Sequence, residues 1–351
     1  MTWDIALILG IDGLANGAVY LLAGLGLVLI FSVTRVVFVP FGDIAAFAAL
    51  TLAAFETGRV PPTIGMVVVL AALATLTEVG SLLRRGEGRL VPKAVLTWGI
   101  LPLLPCALAW LASRPGVPPV AHIAMSVLLV VPIAPLLGRV VFQPIADASV
   151  LVLLIVSLAL HFLLSGLGLL FFGPEGSRTQ PLANGSIQLG DGFSVSAQVI
   201  LMIGAALVLS ALFYLVFERT TMGKALRATA VNRVGARLVG IRPARTALMA
   251  YGCASLLAGM IGVLIAPVTT MYYDSGFIIG LKAFVAAIIG GLVSYPVTAV
   301  GALSVGVVES FASFWSGALK DVIVFSLLIP VLMLRSFMAR HIEEEEVEID
   351  Q

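Results

Sequence analysis

Apolar residues run along this chain in blocks of about 17 to 25, punctuated by short polar stretches. Blocks of that length are long enough to cross a bilayer as helices. They fall at 5–30, 39–55, 64–83, 95–111, 120–140, 150–172, 197–217, 246–268, 277–292, 297–314 and 322–334. The short or Pro-broken blocks are also compatible with half-helices, so the pattern predicts about 8 to 11 spans. The expected fold is an all-α polytopic transmembrane helical bundle. A single transmembrane domain would cover 1–338, followed by an acidic tail at 339–351 that carries HIEEEEVEID.

The polar punctuation sets an orientation. With the N-terminus outside, Arg84, Arg85, Arg89 and Lys93, then Arg139, then the basic run 221–245, then Arg335 and Arg340 all fall in cytoplasmic loops. The alternate loops are poor in Lys and Arg, so this N-out, C-in arrangement satisfies the positive-inside rule. The connection FGPEGSRTQPLANGSIQLGDGFSVS then lies outside. Its Gly, Ser, Asn and Pro residues predict turns and short extended pieces, serving as a linker or as a rim for an external partner.

Composition agrees with the pattern: 60% of the 351 residues are hydrophobic and 11% are charged. Mean hydropathy is +1.12. A soluble domain is about a quarter charged. The start MTWDIALILGIDGL carries Asp4 and Asp12 where a signal peptide has basic residues, so the first block is expected to be retained. Cys106 and Cys253 both sit in apolar blocks and read as small buried hydrophobes, not as a disulfide framework or a metal site.

Catalytic chemistry is not visible. Around Gly223 and Lys224 the phosphate-loop spacing fails, because Ala225 follows the lysine and Glu218 and Arg219 stand where the first glycine belongs. His122, His161 and His341 show no ligand spacing, and no triad can be assembled. The expectation is a non-enzymatic chain with no metal, no cofactor of its own and no nucleic-acid partner. His161 reads as a packing residue hydrogen-bonded to a neighbour.

Ionisable residues inside lipid are costly and tend to face a bundle interior or an aqueous path. Asp12, Asp43, Glu78, Lys282 and Glu309 are of this kind. Lys282 and Glu309 form a candidate ion pair, and Tyr20, Asp43 and Glu309 are candidates for lining a translocation pathway. An ion-coupled secondary carrier built on Asp43, Lys282 or Glu309 is the alternative these groups leave open. Gly13 with Gly17, Ser255 with Gly259, and Ala283, Ala287 and Gly291 form small-residue faces suited to close helix packing. GGLVSYP at 290–296 predicts a sharp turn.

The stretch TMGKALRATAVNRVGARLVGIRPAR carries Lys224, Arg227, Arg233, Arg237, Arg242 and Arg245 and no acidic residue. Asn232 can cap a helix that Gly240 and Pro243 end. Val231, Val234, Gly235 and Leu238 recur at helical spacing, which predicts a short amphipathic helix of about two or three turns. A basic loop resting on anionic headgroups is one reading. Membrane-surface helices, however, present large apolar residues, whereas Ala228, Ala230, Gly235, Ala236 and Gly240 are small and suit docking into a protein groove.

Residues 227–264, 280–310 and 320–336 resemble, in order, segments of the permeases of branched-chain amino acid ABC importers. GLANGAVYLLAGLGLVLIFSVTRVVFVPFGD and RVVFQPIADASVLVLLIVSLAL are similar to its first span and a middle segment. The chain is thereby identified as a member of that family's smaller, first-type permeases. It departs in having Phe41 where the family has His, and in a longer 75–119 region that reads as an extra hairpin. The resemblance implies an inner-membrane subunit working with a second permease, two cytoplasmic ABC ATPases that bind ATP and magnesium, a periplasmic solute-binding protein and membrane lipid. It makes 218–245 the coupling loop, with Arg227, Asn232, Arg233, Gly235, Ala236, Arg237 and Gly240 contacting the ATPase.

Overall fold

A computed structural model of the chain describes residues 3–190 and 193–333. Arg335, Arg340, His341 and the acidic tail lie outside the described residues. Eight helices there are long and apolar enough to cross a membrane. They are α1 (Trp3–Thr34), α3 (Thr63–Arg84), α4 (Gly88–Ala112), α5 (Pro119–Phe142), α6 (Val150–Phe172), α7 (Ala197–Arg219), α10 (Pro243–Ile265) and α12 (Tyr295–Trp315). Shorter helices complete the bundle: α2 (Phe41–Glu56), α8 (Thr221–Val231), α9 (Arg233–Leu238), α11 (Ser275–Ile289) and α13 (Lys320–Ser326).

α1 and α12 form the central pair, and the sequence explains their closeness. A methyl group at Gly13 or Gly17 would meet backbone atoms of Val307 and Leu303 on α12, and one at Gly306 would meet the backbone of Gly13 and Gly17. In lipid, where apolar surface gains nothing by leaving the solvent, this backbone approach supplies the packing attraction. Gly259 repeats the device against Val127 and Val130 of α5, where Ser255 also donates to the Val130 carbonyl at 2.8 Å. Ala283 and Ala287 are fully buried, whereas Gly291 lies beyond the end of α11 with φ +68°, in the turn.

The 39–55 block is not a lipid-facing span. At about 1.5 Å per residue the 16-residue α2 is roughly 24 Å long, short of the roughly 30 Å hydrocarbon core. All but two of its residues are buried. It starts inside the bundle after an extended stretch closed by Pro40. The first turns of α2 and α11 meet backbone to backbone, since a methyl at Gly42 would strike the Gly276 carbonyl and one at Gly276 would strike that of Gly42.

Residues 75–119 form the end of α3, the whole of α4 and the connection into α5. They are joined to the bundle by the Arg139–Glu78 ion pair, with the Arg139 guanidinium 5.6 Å from the centre of the Trp98 ring. The 173–196 connection contains an antiparallel hairpin, β1 (Ser186–Gly190) and β2 (Phe193–Ser196). Its first part packs on one end of the bundle, with Ser177 bridged to Met271 and the Gln180 N–H donating to Glu56. The opposite end gathers the end of α1, the end of α5, the start of α10 and the basic pair α8–α9.

Candidate functional site

Three polar assemblies stand out against the apolar background. The first is at the N-terminus of α2. Asp43 is completely buried, and both its carboxylate oxygens lie within hydrogen-bond reach of His161 Nδ1, at 2.9 and 2.8 Å. His161 stacks on Phe277 of α11 with ring centres 4.4 Å apart. A carboxylate in the first turn of a helix faces the positive end of the helix dipole, which adds to the stabilisation from His161. The α2 N-terminus and the His161 imidazole, itself stacked on Phe277, therefore enclose the Asp43 carboxyl at the point where α2, α6 and α11 converge.

The second joins α1, α11, α12 and α13. Lys282 Nζ donates to Glu309 Oε1 at 2.5 Å and pairs with Asp321 Oδ1 at 2.8 Å. The Tyr20 hydroxyl donates to Glu309 Oε2 at 2.5 Å. Lys282, Glu309 and Tyr20 are all buried. A buried ion pair breaks even only when its remaining lone pairs are satisfied, and Tyr20 supplies that bond here. Glu309 also borders a cavity of about 400 Å³ that is lined by Asp12, Asn16, Ser310 and Lys320.

The third is the basic pair α8–α9. Thr220 caps α8 by accepting from the Gly223 N–H, and Asn232 caps α9 by accepting from the N–H groups of Val234 and Gly235 at 3.0 and 2.9 Å. Gly240, at φ +85°, closes α9, with the Ile241 N–H bonded back to the Ala236 carbonyl. Arg227 pairs with Glu218 at 2.5 Å. Arg227, Asn232, Gly235 and Ala236 line an open outward concavity together with Lys224 and Val239. Arg233 and Arg237 point the other way, into a cavity between α9 and the bundle. Val231, Val234 and Leu238 are also exposed, by between 66% and 87%.

The structure thus brings Tyr20, Lys282 and Glu309 together, keeps Asp43 separate with His161, and sets Lys224 and Arg227 of α8 on the outward concavity while Arg233 and Arg237 of α9 face the bundle. Sequence reasoning did not find the Asp43–His161 pairing or the part played by Asp321. The available signal was that each is an isolated polar residue inside or beside an apolar block. Among the described residues no group of three His, Cys, Asp or Glu could hold a metal ion.

A bundle of this kind, with broken helices meeting at its centre and a capped basic helix pair outside it, is a multi-pass membrane transport component. The chain belongs to the branched-chain amino acid transport system / permease component family, whose model matches residues 10–333. The high-affinity branched-chain amino acid transport system permease protein LivH of Escherichia coli (strain K12) is 32% identical over 204 residues. The corresponding LivH of Salmonella typhimurium (strain LT2) is also 32% identical over 204 residues, and BraD of Pseudomonas aeruginosa is 30% identical over 208. Each of these matches covers 56% of this chain and 66% of the relative, just under two thirds of its length. No solved structure matches the chain significantly.

Proposed function

We propose that this chain is the membrane-spanning permease subunit of an ATP-driven importer that carries branched-chain amino acids, or a related small polar solute, across the bacterial inner membrane. The observation that carries the reading is the α8–α9 pair. It is capped at both starts, stands at the end that collects the basic residues, and presents an open concavity lined by Lys224, Arg227, Asn232 and the apolar Val231 and Val239. Such a concavity fits a cytoplasmic ABC ATPase that binds ATP and magnesium, the activity this chain has no phosphate loop to supply. In this reading the basic end faces the cytoplasm and the N-terminus lies outside. A second permease and a periplasmic binding protein complete the importer, and nucleotide-driven closure tilts α7 and α10, which flank the docking pair. Tyr20, Asp43 and Glu309 then lie along or beside the route of the solute.

The test is uptake of radiolabelled leucine into proteoliposomes holding the assembled importer. Uptake is expected to require ATP and the binding protein, and to fall at least tenfold with Val234→Asp and Leu238→Asp together while insertion is retained. Uptake that follows an ion gradient without ATP would overturn the reading in favour of a secondary carrier.

A further inference from the structure

The exposed side of α3 changes character along its length. Residues 76, 77, 80, 81, 84 and 85 share one helical face, where they line an open groove of about 490 Å³. Gly80 makes the groove, since a methyl there meets nothing within 4 Å and the helix backbone is bare between Leu76 and Arg84. Toward the middle of the span this face is apolar, with Leu73 and Leu76 45% and 68% exposed. At the end of the helix it is basic, with Arg84 and Arg85 both exposed. Between these parts the Thr77 and Ser81 hydroxyls donate to the carbonyls of Leu73 and Glu78, each at 2.9 Å, so neither needs a partner from the groove. The Glu78 carboxylate is taken up by Arg139 of α5. Arg89 and Lys93 extend the positive charge beyond the helix, with Glu87 the one acidic residue among 84–93. None of Arg84, Arg85, Arg89 and Lys93 forms an ion pair among the described residues.

We propose that this groove binds one anionic phospholipid of the cytoplasmic leaflet, with the phosphate between Arg84 and Arg85 and an acyl chain along Leu76 and Leu73. The dimensions agree. From Leu73 to Arg84 the helix rises roughly 16 Å, about half of the roughly 30 Å hydrocarbon core, so the arginines reach headgroup depth when the apolar part lies beside the tails. Charge decides between lipids: a zwitterionic headgroup brings its own ammonium to the two arginines, whereas an anionic one does not. The leaflet rests on the proposed orientation, and the lipid chemistry does not. Occupancy also bears on the docking helix. Arg139, which holds Glu78, is next to Gly138, and Gly138 and Phe142 form part of the wall that faces Arg233 and Arg237 of α9. A lipid that steadies the end of α3 therefore steadies the wall behind α9.

The experiment is native mass spectrometry of the purified full chain with equimolar dioleoylphosphatidylglycerol and dioleoylphosphatidylcholine. Wild type is expected to retain the anionic lipid at least fivefold over the zwitterionic one. Arg84→Gln with Arg85→Gln should abolish the preference, and Gly80→Leu, which fills the notch without changing charge, should reduce it at least threefold. Arg89→Gln with Lys93→Gln removes the same charge outside the groove and should leave the preference in place. Equal retention of the two lipids by wild type overturns the proposal, as does an undiminished preference in both groove variants. An equal loss in the Arg89 and Lys93 variant would assign the effect to the field of the whole loop, and displacement of the lipid by millimolar inorganic phosphate would make the groove a phosphate site; either result also overturns it. In proteoliposomes of the assembled importer, ATP-driven leucine uptake should rise at least twofold with phosphatidylglycerol in wild type and not in the Arg84 and Arg85 variant. Uptake with no lipid preference sinks the groove and leaves the transport reading standing, whereas lipid retention without ATP-driven uptake does the reverse.

Discussion

A methyl group added at Gly306 has no space to enter, because the backbones of Gly13 and Gly17 already occupy it. Overpacking of this sort costs about 1–3 kcal/mol. Gly306→Ala should therefore lower the melting temperature of the detergent-solubilised chain, while Gly10→Ala, which meets nothing within 4 Å, should leave it unchanged. The buried charges give a second, asymmetric prediction. Glu309→Gln leaves Lys282 with Asp321 and leaves Tyr20 an amide oxygen to donate to. Lys282→Met strips Glu309 and Asp321 of their shared cation, and stranding a buried charge costs about 3–5 kcal/mol. Lys282→Met should accordingly be the worse variant in yield of monodisperse protein and in melting temperature. Equal behaviour of the two would show that Asp321 contributes nothing to the cluster.

At the scale of elements, α9 has only six residues, too few to be stable by propensity, so its ends decide whether it forms. Asn232→Ala removes the acceptor of two backbone N–H groups, a loss of about 1 kcal/mol. It is expected to raise the rate of proteolysis between α8 and α10 and to lower ATP-driven uptake, and Asn232→Asp, which keeps the acceptor, should restore both. Asn232 and Gly240 could be read from sequence because caps are local: the residue and the groups it satisfies lie within four positions. The same locality made the spans legible, since a bilayer demands a fixed length of apolar chain. It fails for α2, whose 39–55 block is apolar enough to read as a span although the helix is too short for one and all but two of its residues are buried. What encloses it is close approach at Gly42 and Gly276, residues 234 positions apart by their numbers. The Asp43–His161 pair is invisible for the same reason. The facing of Arg233 and Arg237 also escapes the sequence, because a helix with apolar and basic faces does not say which one meets the bundle.

For the whole molecule, the arrangement of ends carries the transport reading. One end of the bundle gathers Arg139, the α3 end that pairs with it and the α8–α9 pair, and the other bears the β1–β2 hairpin and the 266–274 turn, with the short α2 and α11 completing the connections between full spans. An odd number of crossings anywhere in error would put a basic loop beside the hairpin. The arrangement is tested with single cysteines placed at exposed positions of each end, Ser194 in β2 and Leu238 in α9, in a background where Cys106 and Cys253 are alanine. A membrane-impermeant maleimide applied to intact spheroplasts should label Ser194→Cys and spare Leu238→Cys, which should react only after permeabilisation. Labelling of Leu238→Cys in intact cells would place the basic pair outside, away from any ATPase and against the bias that drives Lys- and Arg-rich short loops to the cytoplasm. Neither the docking role of α9 nor the placing of the α3 lipid groove in the cytoplasmic leaflet would survive that result, because both require the same end of the bundle to meet the cytoplasm.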